Sequence, residues 1–168
     1  MGLLKNFFVF FIGLIKKWMG IDDDNSVAGV NGSCVGPIQN PLRWDADQEV
    51  ADHIGCNNHR FAEYSGYAFS TVWESQVESM EQVTYYDSVT GKPLFIAPVG
   101  RTMAEFLEES HQHGWPSFRE EEVVWENTEV LTGGETVSKD GTHLGHNLPD
   151  SKGNRYCINL VSVAGYPI

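Results

Sequence analysis

The sequence predicts a mainly β or α+β domain, and three observations support this fold class. From residue 83 onward, short segments rich in β-branched and aromatic residues follow one another, separated by glycine, asparagine and proline. The clearest helical segment is residues 101–112, where apolar side chains recur with helical spacing. Strands and helices do not alternate regularly along the chain, which argues against a doubly wound parallel sheet.

Each predicted element has its own signal. In residues 86–95, YDSVTGKPLF, the turn sequence TGKP lies between two apolar runs and indicates a strand, a turn and a second strand. Residues 101–112 place three apolar side chains on one helical face, and Gly114 lies just beyond the predicted end. Further short strands are predicted at residues 123–125, 128–132 and 136–138.

Length and charge limit the classes of function. The chain has 168 residues, of which 41% are hydrophobic, and this is enough for one domain with a single core. We expect residues 21–50, rich in aspartate, glycine and proline, to form a linker and residues 51–168 to form the domain. The formal net charge of −12 argues against binding of nucleic acid or anionic lipid by this domain.

Residues 1–20 form a hydrophobic segment that differs from the rest of the chain. An apolar run at residues 7–15 lies between lysines and is shorter than the ~20 residues that a membrane-spanning helix needs. Its length fits a secretory signal or signal anchor, although no small residues for cleavage follow it. A helix lying in a membrane interface and an amphipathic docking helix are the alternatives. We therefore expect a secretory or membrane-associated location, with an organelle or the cytoplasm as the alternative.

Residues 154–160 predict a strand with reactive groups on one face. Arg155, Cys157 and Asn159 alternate with apolar side chains, so they project together while the apolar set faces a core. A thiol beside a permanent cation has a lowered pKa, which favours the reactive thiolate. The alternative is that Cys157 is a small buried hydrophobic residue without reactivity.

The segment before this strand carries two histidines. Glycine and proline in GTHLGHNLPD, residues 141–150, predict a loop that holds His143 and His146. Such a pair can serve as proton donors, as metal ligands or as ordinary solvated side chains. The other histidines form no pair at a recognised zinc spacing, and the chain has no Cys-x-x-Cys pair, so we predict no metal site and no bound cofactor.

Three motifs together resemble the type B methionine sulfoxide reductases, which reduce the R epimer of methionine sulfoxide. They are GWPSF at residues 114–118, HLGH at residues 143–146 and RYCIN at residues 155–159, in the order of that family. The turn at residues 90–95 also resembles the family's strand-turn-strand segment. The resemblance covers residues 85–163 and implies two small antiparallel sheets, a β-tent-like fold, with a few short peripheral helices.

The resemblance implies a role for each matching residue. Cys157 matches the catalytic cysteine, whose thiolate attacks the sulfoxide sulfur and becomes a sulfenic acid as methionine leaves. The polar residues around that cysteine are matched by His143, His146, Arg155 and Asn159. The positions that match substrate-binding residues are Trp115, Phe118 and Asp150. Trp115 would form the aromatic wall for the S-methyl group, unless it is an ordinary core tryptophan. Asp150 could orient Arg155 or a histidine.

The chain also departs from the family pattern. It lacks the Cys-x-x-Cys pairs that hold structural zinc in many members, and this implies the zinc-free form. His113 stands where many members carry the recycling cysteine. Recycling then depends on Cys56, the preferred candidate, on Cys34, or on a thioredoxin-like reductant without an internal partner. The scattered cysteines predict no disulfide framework.

The predicted function is thiol-dependent reduction of methionine-R-sulfoxide, free or in oxidised proteins, by a monomeric enzyme of oxidative-damage repair. One alternative is a redox sensor or binding module on the same scaffold, in which Cys157 is oxidised without turnover. A second alternative is a membrane-associated structural protein whose function lies in residues 1–20.

Overall fold

A computed structural model describes residues 32–168, which form two antiparallel sheets and a few short helices. The strands are β1 (Val83–Tyr86), β2 (Pro93–Ala97), β3 (Ser117–Arg119), β4 (Thr128–Val130), β5 (Glu135–Ser138), β6 (His143–Asn147) and β7 (Arg155–Ile158). β1 pairs with β2, and the other five form one sheet in the order β3-β7-β6-β5-β4. The predicted fold class, with two antiparallel sheets and short helices, is confirmed.

The helices lie around these sheets. They are α1 (Gln48–Asp52), α2 (Trp73–Val77) and α3 (Met103–His113), with a π-helical turn at His53–Asn57 and 3-10 turns at Arg43–Asp45, Tyr67–Ser70, Glu120–Glu122 and Leu160–Ser162. α3 is the helix predicted at residues 101–112. It begins with a reciprocal cap, in which Thr102 and Glu105 each accept the other's backbone N–H. Within residues 32–168 no helix is long and apolar enough to cross a membrane.

The predicted strands are found with one exception. β1 and β2 are the strands predicted on either side of the TGKP turn, and their register pairs Tyr85 with Phe95. β4 and β5 are the strands predicted at residues 128–132 and 136–138. Residues 123–125 instead contribute only an isolated bridge between Val123 and Phe95.

An aromatic core lies between the two sheets and α3. Phe118 stacks on Phe95 with ring centroids 4.3 Å apart and also contacts Tyr85 and Phe106. Its side chain is 0% exposed. A ring enclosed in this way cannot reach a substrate, so the prediction of Phe118 as a substrate-binding residue is wrong.

The N-terminal part of the described chain packs onto the domain. Ile38, Leu42 and Trp44 are at most 6% exposed and belong to the core. The backbone N–H of Arg43 donates to the carbonyl of Ala164 at 2.7 Å. The prediction of a linker up to residue 50 is therefore wrong for this part of the chain. The sequence did not reveal the packing because these isolated apolar side chains enter the core without any periodic pattern. Residues 1–31, including the predicted targeting segment, lie outside the described residues.

Cys34 and Cys56 form a disulfide across 22 positions of sequence, with Cα atoms 5.1 Å apart. A bond that closes a loop of this length stabilises a domain by roughly 3 kcal/mol. The sequence analysis predicted no disulfide framework, and it did not identify this single bond, since the fold brings together residues that look unrelated in sequence. Neither Cys34 nor Cys56 offers a free thiol for recycling, and Cys157 is the free cysteine of the described chain.

Candidate active site

Cys157 lies in β7 with a partner residue on each side. Its partner in β3 is Ser117, and its partner in β6 is His146. Glu135 in β5 is in turn the partner of His146. Directly paired residues of antiparallel strands place their side chains on the same face. A thiol, an imidazole and a carboxylate therefore lie in one row across the sheet.

A β-bulge brings the second histidine to the same site. Residues three apart in a regular strand face opposite sides of the sheet. β5 and β6 pair Thr136 with Gly145, and the next pair is Val137 with His143, so Leu144 has no partner in β5. The extra residue reverses the alternation, and His143 and His146 both line one cavity. The loop predicted here is wrong, because the segment is strand β6.

Gly145 stands inside this strand because the neighbouring backbone is close. A Cβ atom at this position would lie 2.0 Å from the carbonyl oxygen of Cys157. Asn159 holds the bulge in place, since its backbone N–H and its side-chain amide both donate to the Leu144 carbonyl, at 2.8 and 3.1 Å. The glycine that suggested a loop in the sequence instead permits close strand packing.

A cavity of about 300 Å³ lies beside the Cys157 thiol. Its lining residues are His59, Arg60, Phe61, Ala62, Trp115, His143, Gly145, His146, Leu148, Cys157 and Asn159. Five of the predicted site residues therefore meet here: Cys157, both histidines, Trp115 and Asn159. Arg155, Asp150 and Phe118 do not line the cavity.

Trp115 is held by Glu63, a residue that the sequence analysis missed. The indole N–H donates to the Glu63 carbonyl at 3.0 Å, and the Glu63 N–H donates to Asn159 Oδ1 at 3.0 Å. The Glu63 carboxyl group accepts the backbone N–H of Leu160 at 2.8 Å and that of Val161 at 3.2 Å. Burial raises the pKa of Glu63 to about 8, although the two backbone hydrogen bonds oppose this. Glu63 thus connects the aromatic wall of the cavity to the turn that follows β7.

The resting Cys157 is a thiol. Burial raises its pKa, while Arg155 opposes this through its charge and a hydrogen bond, and the charge of Glu63 adds to the increase. The expectation of a lowered pKa is therefore wrong, because desolvation outweighs the effect of the guanidinium. Arg155 is 8% exposed, and among residues 32–168 its Nε and Nη1 atoms have no hydrogen-bond partner.

Asp150 belongs to a network of charged residues outside the cavity. It accepts from Arg119 Nη1 at 2.9 Å and from Nη2 at 2.8 Å, and this pairing holds the pKa of Asp150 well below its usual range. Arg155 Nε is 3.8 Å from Asp150 Oδ2. Asp150 can thus attract Arg155 electrostatically, which is the orienting role considered for it, and it does not line the cavity beside Cys157. The network also borders a larger cavity of about 720 Å³, whose described lining residues carry no thiol and no imidazole.

His143 is buried against a carboxylate and a second imidazole. His143 Nδ1 lies 2.9 Å from Glu135 Oε1, and His59 Nδ1 lies 2.8 Å from the same oxygen. The two rings are stacked, with centroids 5.0 Å apart. Burial lowers the pKa of His143, although the hydrogen bond to Glu135 opposes this, so the ring is neutral at neutral pH.

Two groups of described side chains have donor atoms close enough to hold a metal ion. They are His59, Glu135 and His143, and Glu109, His113 and Asp150. In the first group, both ring nitrogens are directed at Glu135 Oε1, so the carboxylate oxygen fills the point on which they converge. In the second group, both carboxylates are paired with Arg119. Hydrogen bonds and ion pairs therefore account for both arrangements.

The residues that the sequence analysis missed come from distant parts of the chain. His59, Phe61 and Glu63 lie in the segment without family resemblance, and only the fold brings them to Cys157. Glu135 lies just before the strand predicted at residues 136–138, and only its register with His146 reveals its place in the row. No local motif identifies these four residues.

Comparison with protein-family models, with curated proteins and with solved structures gives no match for this chain. The function is therefore inferred from the residues and the geometry of the site.

Proposed function

We propose that the protein reduces methionine-R-sulfoxide to methionine, with Cys157 as the nucleophile. The observation that carries this proposal is one cavity lined by the free thiol, by the imidazoles of His143 and His146 and by the indole of Trp115. The three motifs that resemble type B methionine sulfoxide reductases contribute these four side chains. Residues far apart in sequence thus meet in the combination that this chemistry requires.

The reaction needs a nucleophile for the sulfoxide sulfur and a proton for the sulfoxide oxygen. The sulfur of Cys157 attacks, the sulfur–oxygen bond of the substrate breaks, and the oxygen is left on Cys157 as a sulfenic acid. Two electrons pass from the thiol sulfur to the substrate sulfur. The thiol proton ends on the transferred oxygen, so the step is balanced without another proton source. An imidazole, that of His143 or that of His146, carries this proton.

The walls of the cavity differ in a way that can distinguish the two epimers. Trp115, Phe61 and Leu148 offer apolar surface for the S-methyl group, whereas the histidines offer polar groups for the oxygen. Exchange of methyl and oxygen would place the oxygen against aromatic rings without a hydrogen bond, which is unfavourable. His146 and Leu148 are exposed, so free or protein-bound methionine sulfoxide can reach the thiol.

An external thiol reductant returns Cys157 to its starting state. Because Cys34 and Cys56 are bonded to each other, neither attacks the sulfenic acid. One external thiol forms a mixed disulfide with Cys157 and releases water, and a second thiol then displaces Cys157. A thioredoxin-like dithiol supplies both thiols in one molecule.

The proposal is tested by turnover of the separated R and S sulfoxides with excess dithiothreitol. We expect loss of the R epimer, retention of the S epimer, and no turnover by Cys157→Ser. Trp115→Leu should raise KM, whereas Trp125→Leu, a matched change at an exposed ring outside the cavity, should not. Equal loss of both epimers, or full activity of Cys157→Ser, would refute the proposal. Oxidation of Cys157 by peroxide but by neither sulfoxide would indicate the redox-sensor alternative.

A further inference from the structure

We infer that Glu135 and His59 position His143 for proton transfer, and that Glu135 fixes the tautomer in which the proton of His143 is on Nδ1. Glu135 and His59 are positioning residues in this role, since they act through His143. The consequence for catalysis rests on the proposed function, but the tautomer can be measured without any turnover.

The hydrogen bonds to Glu135 determine which ring nitrogen carries the proton. His143 Nδ1 and His59 Nδ1 lie 2.9 Å and 2.8 Å from the same atom, Glu135 Oε1. Burial acts to raise the pKa of Glu135, but the two histidines outweigh it and the pKa is lowered, so Glu135 is ionised. An ionised carboxylate only accepts hydrogen bonds, so each Nδ1 donates. In the neutral ring of His143, Nε2 is then a free acceptor.

This tautomer suits the thiol proton of Cys157. Among residues 32–168, the His143 ring forms no hydrogen bond other than the one to Glu135, and the ring lines the cavity beside Cys157. A free Nε2 can accept the thiol proton and pass it to the sulfoxide oxygen. The opposite tautomer carries a hydrogen on Nε2 and cannot accept. Glu135 also stabilises the imidazolium that exists while the proton is in transit.

His59 is held in place from its other edge. Ser33 Oγ lies 2.8 Å from His59 Nε2, and Ser33 is the neighbour of Cys34 in the disulfide. The His59 ring stacks on His143 with an interplanar angle of 21°. The side chain of His143 is 2% exposed, that of His59 16% and that of Glu135 26%. His59 therefore fixes Glu135 and His143 from the N-terminal segment, which shows no family resemblance.

The test uses the full chain labelled with ¹⁵N and long-range ¹H–¹⁵N spectra of its histidines. We expect His143 to carry its proton on Nδ1 in the wild type. Glu135→Met keeps the side-chain length but removes the acceptor, so both tautomers of His143 should become populated. Glu135→Gln retains an acceptor oxygen and should keep the wild-type tautomer. Glu129→Met, at an exposed glutamate of the neighbouring strand β4, is the matched control.

Turnover of the R sulfoxide gives the second measurement. Loss of a residue that orients a metal-ligating histidine typically costs about 10- to 100-fold in activity, and we expect a loss of similar size in kcat of Glu135→Met, with little change in KM. Glu135→Gln should recover most of kcat, and His59→Gln should show a smaller loss than Glu135→Met.

The outcomes separate the two proposals. An unchanged His143 tautomer in both Glu135 variants would overturn the inference. A wild type without sulfoxide turnover, but with a tautomer that depends on Glu135, would refute the proposed function and leave the positioning intact. A change in the histidine spectra or in activity on treatment with a chelator would show that a metal ion occupies these atoms, and this would also overturn the inference. If Glu135→Met does not fold, His59→Gln replaces it in the test. A lowered kcat with a wild-type KM in His59→Gln supports the inference, and wild-type values of both contradict it.

Discussion

Replacement of Glu63 by glutamine should change how the stability of the protein depends on pH. Glu63 is 3% exposed, and within the described part of the chain its carboxyl group has only the backbone N–H groups of Leu160 and Val161 as hydrogen-bond partners. No cation pairs with it among residues 32–168, so burial dominates and raises its pKa to about 8, from 4.5 for an ordinary glutamate. Glutamine has nearly the same shape but does not ionise.

The sign and size of the effect follow from this raised pKa. Between pH 4.5 and about pH 8 the folded protein keeps a proton on Glu63 that the unfolded chain releases. The free energy of unfolding therefore falls as pH rises, by up to about 1.4 kcal/mol per pH unit for one proton. The stabilisation is complete below the pKa that Glu63 has in the unfolded chain, and it is lost as the pH rises through the pKa that Glu63 has in the folded protein. Two pH units near neutrality thus change the stability by up to about 3 kcal/mol.

The assay is urea unfolding, followed by tryptophan fluorescence at several pH values from about 5 to about 8. Other groups also titrate in this range, so the quantity of interest is the difference between the wild type and Glu63→Gln. We expect this difference to change by about 1 kcal/mol or more per pH unit. Glu78→Gln, at an exposed glutamate, should show no such change. Parallel pH profiles of the wild type and Glu63→Gln would refute the reasoning.

Three further predictions concern the cysteines and Gly145. Alkylation of Cys157 by iodoacetamide should have a pH midpoint above that of an ordinary thiol, and Arg155→Met should raise the midpoint further because it removes the charge that opposes burial; a lower midpoint in the variant would contradict this. Before any substrate is added, the intact mass of the protein should be two hydrogens below that of the fully reduced chain, and one thiol should be alkylated after denaturation. Three reactive thiols would show that the disulfide is absent and would restore Cys56 as a resolving candidate. Gly145→Ala should lower the free energy of unfolding by at least about 2 kcal/mol, because the added Cβ would clash with the Cys157 carbonyl oxygen. Gly36→Ala is the control: its added Cβ would lie 3.9 Å from the nearest atom and should change the free energy of unfolding by less than about 1 kcal/mol. Equal effects of the two substitutions would contradict the packing argument.

The parts of the fold that depend on local sequence were predictable. Helix α3 has apolar periodicity, a cap formed by Thr102 and Glu105, and a terminal glycine, and all three signals lie within the segment itself. The β1–β2 hairpin is equally local, because its turn sequence lies between two apolar runs. The mixture of short strands and few helices was therefore correctly assigned.

Other features depend on contacts between distant residues. The strand character of residues 143–147 depends on a bulge against β5 and on the close approach of Gly145 to Cys157, so the sequence suggested a loop. The raised pKa of Cys157 depends on burial, which the Arg155 neighbour does not reveal. The pairing of Cys34 with Cys56 likewise depends on where the N-terminal segment packs. These are properties of the tertiary structure and are not encoded in short motifs.

The central claim is that Cys157 takes the oxygen from methionine-R-sulfoxide, and a single turnover without reductant tests it most directly. Protein with Cys157 reduced and the Cys34–Cys56 disulfide intact is mixed with excess R sulfoxide, methionine is quantified, and a sulfenic-acid probe reports on Cys157 by mass spectrometry. We predict about one methionine per protein, a probe adduct on Cys157, and neither product with the S epimer or with Cys157→Ser. Release of methionine without modification of Cys157, or modification by both epimers alike, would contradict the account.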